Sequence, residues 1–232
     1  MGKRFFEIDA ARGAAIILMI LYHAAFDLQY FGIYKLELGW IFWYFFPRLI
    51  ASTFIVITGI SLTLNYNKSK VDAKKRFVLR GLKIFCFGLL ITAATYLFLP
   101  KGTIFFGILH FIGVSTIASI PFLRMREEAL LPAAVVFLAG FYTGSLTTDS
   151  PWLLWLGLMP KDFYTFDYFP VFPWFGLVLT GIYLGNKFYP GGKRSFGIGE
   201  FSSGFLETLG RNSLLVYLLH QPAIILLLAF LR

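Results

Sequence analysis

The chain is 232 residues long, 58% hydrophobic and only 14% charged, with a formal net charge of +9. A water-soluble domain carries about 25% charged residues, so these proportions exclude an ordinary soluble fold and point to lipid as the solvent. The positive charge is gathered between apolar runs, where it sets topology and meets anionic headgroups, which excludes nucleic acid as the expected partner.

A helix that crosses about 30 Å of hydrocarbon needs roughly 20 apolar residues. Such runs fall at residues 10–30, 40–66, 80–99, 105–123, 130–146, 172–188 and 209–231. They predict an all-α integral membrane protein of about seven transmembrane helices, one domain over residues 1–232. Asp9 and Arg12 lie in the opening turns of the first run, and no small-residue cleavage site follows before the next charged loop. The run therefore reads as a retained helix and not as a removable signal peptide.

Cytoplasmic loops hold the excess of lysine and arginine. Lys3, Arg4, the basic run from Lys68 to Lys83, Arg124, Arg126, Lys187, Lys193, Arg194 and Arg211 all fall on one side. Only Lys35, Arg48, Lys101, Lys161 and Arg232 fall on the other. A cell-membrane protein with a cytoplasmic N-terminus and an outside C-terminus follows. Cys86, the single cysteine, lies inside the third run and has no intrachain partner. It reads as a small packing residue.

Between the fifth and sixth runs, the outward loop 147–170 contains a short apolar stretch from Trp152 to Leu158, bounded by Pro151 and Pro160. It is too short to span, so an interfacial or re-entrant helix is expected there, with a lid as one use for it. The five tryptophans, Trp40, Trp43, Trp152, Trp155 and Trp174, all map to the outer half. They form half of an aromatic belt or a platform on which a sugar ring stacks.

Ionisable groups within the apolar runs carry the functional signal, because each costs roughly 2.5–3.5 kcal/mol at the centre of a spanning helix. They are His23 with Asp27, His110, and His220. His23 and Asp27 stand at i, i+4 on one helical face, and an imidazole beside a carboxylate is an oriented base. Counting about 1.5 Å per residue puts His23, Asp27 and His110 at one level in the outer half, with His220 nearer the midplane. Each histidine has a plainer alternative, which is to donate to a backbone carbonyl and tie two helices together. No metal is expected, since the chain has no His-x-x-x-His, no Glu-x-x-His and no cysteine pair.

Four further strings stand out. Asp9-Ala10-Ala11-Arg12-Gly13 opens the first helix, and Gly107-Ile108-Leu109-His110-Phe111-Ile112-Gly113 flanks a histidine with glycines. Asp167-Tyr168-Phe169-Pro170-Val171-Phe172-Pro173-Trp174-Phe175-Gly176 leads into the sixth run, and Leu209-Gly210-Arg211-Asn212-Ser213 leads on to His220-Gln221-Pro222 in the last. In this order, and with His23 and Asp27, the strings resemble the heparan-alpha-glucosaminide N-acetyltransferase catalytic-domain family of multi-pass acyltransferases. The likeness extends over nearly the whole chain.

That resemblance implies transfer of an acetyl group from cytosolic acetyl-CoA to an amino or hydroxyl group of a glycan-like acceptor on the far side. It also implies a histidine in the outward loop after the first helix, yet residues 31–39 contain none. His23 or His110 must then supply the base. The expected catalytic set is His23, Asp27 and His110. Coenzyme A phosphates would take Arg12, Arg80, Lys83 and Arg211 with Asn212 and Ser213, and the acceptor would take Asp167, Trp174 and His220. Thr58, Ser61 and Asn65 line the path between them. Direct transfer and a covalent acetyl intermediate fit equally well, and a homodimer is compatible with either. A transporter using the same His/Asp cluster as a proton relay, or a scaffold without chemistry, is the alternative from another class.

Overall fold

The computed structural model describes residues 5–99, 101–197, 199 and 204–230. Lys3, Arg4 and Arg232, used above for orientation, lie outside them. Eight α-helices occur in the described residues: α1 Phe6–Tyr30, α2 Trp40–Lys68, α3 Ala73–Phe98, α4 Ile108–Ala118, α5 Leu130–Gly144, α6 Val171–Phe188, α7 Gly204–Arg211 and α8 Ser213–Ala229. No strand is present among them, only two isolated bridges, Phe106 with Tyr168 and Thr147 with Met159.

The all-helical architecture is as expected, and three or four spans among the described residues meet the length and hydropathy needed. α1, α2 and α3 are long and apolar enough to cross a membrane, and the α7–α8 pair makes a fourth if its 86° bend counts as one broken span. α4 has 11 residues and α5 has 15, about 16 Å and 22 Å of helix, which falls short of the hydrocarbon thickness. The run at 209–231 is likewise broken, because Arg211 ends one helix and Ser213 starts the next.

The chain divides into two compact units, Met1–Phe54 with Ile198–Arg232, and Ile55–Gly197. In the first unit, α7 packs on the start of α1 through two glycines. A Cβ on Gly13 would run into the Leu206 backbone, and one on Gly210 into the backbone of Asp9. Only a missing side chain allows this approach.

In the second unit α3 lies against α4, where Gly81 meets the Gly113 carbonyl and Gly88 leaves room for the His110 ring. The rear half of α2 crosses α6 at Gly59 and Gly181, again backbone to backbone. The turn into α3 uses Asp72 at φ 51°, a left-handed conformation that aspartate tolerates better than most residues. Cys86 is exposed and does not pack inside the unit. Its place on α3 matches a lipid-facing position.

The apolar stretch of the 147–170 loop forms a short helix, a six-residue 3-10 helix over Pro151–Leu156. Leu154 is buried, while Trp152 is 85% exposed. The Tyr168 hydroxyl donates to the Leu154 carbonyl at 2.7 Å, which pins the loop to its own outgoing arm.

Candidate functional site

Three of the expected site residues meet in the first unit, though not the three grouped by depth. His23 on α1 and His220 on α8 face each other with ring centroids 4.8 Å apart and planes at 76°. A carbonyl oxygen only accepts, so the Nδ1 atoms 2.8 Å from Met19 O and 2.6 Å from Tyr217 O carry the ring hydrogens. In the neutral rings both Nε2 atoms therefore hold lone pairs. The Nε2 of His220 is buried without a hydrogen-bond partner among the described residues.

Asp27 is 3% exposed and accepts a hydrogen bond from Gln221 Nε2 at 2.7 Å. The backbone carbonyl of Met19, and not Asp27, is what orients His23, which corrects the dyad inferred from i, i+4 spacing. Gln221 was missed as a site residue. The signal available was its place beside His220, one residue before Pro222. Its Oε1 is also buried and unpartnered among the described residues. Tyr22 covers the His23 ring edge-on at 5.5 Å and leans on Trp43 at 6.0 Å.

Nearer the start of α1 an ionic cluster joins the two glycine contacts. Arg12 Nη1 lies 3.4 Å from Asp9 Oδ1, Arg211 Nε lies 3.4 Å from Asp9 Oδ2, and Arg211 Nη2 lies 2.8 Å from Glu207 Oε2. Arg12 also donates to the Gly210 carbonyl at 3.5 Å. Asp9 and Glu207 are both buried, so these arginines neutralise carboxylates that would otherwise be costly to bury. Two of the four cations assigned to coenzyme A are thus committed within the fold. Glu207, four residues before Arg211, is the partner that helical spacing could have flagged. Asn212 donates to the Thr208 carbonyl at 2.9 Å and precedes Ser213, the first residue of α8. Both form the bend between α7 and α8.

His110 belongs to the second unit and is 1% exposed. The Gly107 amide donates to its Nδ1 at 3.2 Å, which puts the ring hydrogen on Nε2. Thr92 Oγ1, 3.2 Å from that Nε2, donates its own hydrogen to the Ile104 carbonyl and accepts from the ring. Phe85 and Phe106 flank the imidazole at 5.3 and 5.7 Å. Both nitrogens are engaged, the tautomer is opposite to that of His23, and the ring holds the entry of α4 in place.

Asp167 caps the same helix, its Oδ2 accepting from the Ile108 amide at 2.9 Å. Burial pushes its carboxyl up to about 6, opposed by the hydrogen bond from Ile108. A carboxyl raised in the folded state stabilises fully below its unfolded value, and that contribution fades as pH rises through about 6. The melting temperature of the protein relative to Asp167→Asn should therefore fall between pH 4 and pH 7. Melting temperatures of the two proteins that run parallel over this range would remove the titration from Asp167.

Trp174 is half-buried and packs on Phe169 at a centroid distance of 4.7 Å. Arg80 and Lys83 are exposed on α3.

A family model, heparan-alpha-glucosaminide N-acetyltransferase, catalytic, matches residues 4–222 of the 232-residue chain. The chain belongs to that family. No curated protein and no solved structure matches it. Membership carries an acyltransferase-type activity in a membrane setting, consistent with the apolar helices. The matched region contains every expected site residue, from Arg12 to His220, as well as the added Gln221.

Proposed function

We propose that this protein moves an acetyl group from cytosolic acetyl-CoA to an amino or hydroxyl group of a glycan-like acceptor, with His23 as the general base. The observation that carries this is the His23–His220 pair, two imidazoles with Nε2 lone pairs, on the unit that also buries the Asp27 carboxylate. Such a pair of bases has an obvious use in acyl transfer and none in packing alone, since a buried acceptor without a donor costs about 1–3 kcal/mol.

As the acceptor heteroatom attacks the thioester carbonyl, its proton passes to His23 Nε2. The new C–N or C–O bond forms, the C–S bond breaks, and the thiolate leaves to take a proton. A base in this position contributes typically about 10²–10⁴ in rate. Where the acceptor is an amine, His220 Nε2 accepts a hydrogen bond from its second N–H, and Asp27, held by Gln221, supplies the countercharge when His23 is protonated. His110 has no part in this scheme, because both its nitrogens serve the fold. On the donor side, Arg12 and Arg211 already neutralise Asp9 and Glu207, and Arg80 and Lys83 stay candidates for phosphate on the sequence reading alone.

The lysine and arginine distribution supports a cytoplasmic N-terminus, an outside C-terminus and a cell-membrane location. A transporter has no observation in its favour.

The test is direct. Detergent-purified full chain is incubated with radiolabelled acetyl-CoA and an amino sugar. Label is expected on the sugar, whereas absence of both transfer and acetyl-CoA binding would overturn the proposal.

A further inference from the structure

We propose that the groove at the start of α3 binds the headgroup of an anionic phospholipid. A shallow cavity of about 420 Å³ there is lined by Asp72, Lys74, Lys75, Val78 and Leu79. Its lining is mainly apolar surface, with Leu79 57% exposed, and Lys74 and Lys75 among its residues carry the positive charge. A phospholipid has the same pairing, a phosphate next to an acyl stem. Free phosphate would satisfy the lysines and leave the apolar flank in water.

The surroundings keep these lysines available. Arg76 is committed to the preceding turn, donating to Ser69 Oγ at 3.3 Å, to Ser69 O at 2.5 Å and to Val71 O. That fixes residues 69–72 without using any lysine. Lys68, Lys70, Lys74 and Lys75 are exposed and form no ion pair among the described residues. Asp72 is the only acidic residue between positions 38 and 126, so the groove stays net positive although one carboxylate lines it. Val71, at the tip of the turn, is 75% exposed. An apolar tip among lysines suits the headgroup boundary, where the valine enters lipid and the ammonium groups meet phosphate.

The site is independent of the acyl-transfer chemistry and uses none of its residues. Purified full chain is offered equal amounts of phosphatidylglycerol and phosphatidylcholine, and bound lipid is counted by native mass spectrometry. Phosphatidylglycerol should be preferred, by about fivefold for each lysine engaged. The pair K74Q/K75Q should bring the ratio close to one. K101Q/K161Q, which removes the same charge from exposed positions elsewhere, should leave it unchanged. No preference in the unaltered protein, equal losses in the two variants, or displacement of the lipid by inorganic phosphate would each overturn the proposal. Acetyl transfer is measured on the same samples, so failure of that activity is distinguished from failure of lipid binding.

Discussion

Replacing His23 by alanine is expected to lower acetyl transfer by at least about 100-fold, the lower end of what a positioned base contributes, while the melting temperature changes little. The ring makes one hydrogen bond, to a carbonyl four residues back on its own helix, so its loss orphans no distant group. His110→Ala should show the opposite pattern. Its ring receives the Gly107 amide and donates to Thr92, and it fills a site with 1% exposure. Truncation leaves a buried donor, a buried acceptor and a cavity, which together cost about 3 kcal/mol or more. The protein that does fold should retain turnover. Single-turnover assays with both variants, normalised to folded protein, separate the two roles. Full activity in His23→Ala, or a stable but inactive His110→Ala, would reverse the assignment and return the base to the second unit. The His23→Ala result also bears on His220, because its unpartnered Nε2 becomes the remaining base and sets the residual rate.

A large loss of stability is expected from Gly181→Ala. A methyl group there would be driven into the Val56 carbonyl, with the Gly59 Cα 3.0 Å away. Every one of these atoms is helical backbone, so no side chain can rotate to make space and α2 and α6 must move apart. Overpacking of this kind costs typically about 1–3 kcal/mol and more where nothing yields, and close glycine crossings supply much of the van der Waals contact between membrane helices. We expect a loss at or above the top of that range, read as the shift in a denaturant or detergent unfolding midpoint. Gly39→Ala is the control, since no atom lies within 4 Å of the added Cβ, and it should be neutral. Equal midpoints for the two variants would show that the helix crossing tolerates separation.

Much of the fold was legible from hydrophobic run length. α1, α2 and α3 coincide with the first three apolar runs because a long apolar sequence in lipid has no better way to satisfy its backbone than a continuous helix. The shorter runs are less legible. Apolar content at 105–123 and 130–146 marks burial as well as spanning, and composition does not reveal where a helix stops. The break at Asn212 had a local signal, since Gly210 is a poor helix former and Asn212 and Ser213 favour caps, but the apolar run on either side masked it.

The candidate site was legible as a set of residue types and not as an arrangement. Depth along each helix placed His23 beside His110 and set His220 lower. In the structure, α7 docks on Asp9 and Gly13 through Gly210 and Leu206, the chain bends by 86° into α8, and His220 meets His23 ring to ring. Nothing in one-dimensional spacing encodes it, because it depends on which glycines let two backbones touch.

By itself, then, the sequence determined the solvent, the helical class, the family and the presence of three ionisable centres, since each follows from the chemistry of residues near one another along the chain. Tertiary structure decided which histidines meet, which nitrogen of each keeps its lone pair, and that Arg12 and Arg211 are occupied by Asp9 and Glu207. The deciding partners, Gln221 for Asp27 and Asp9 for Arg211, lie about two hundred residues away in sequence. Only the rotation and docking of whole helices sets such distances, and those are fixed by packing between backbones.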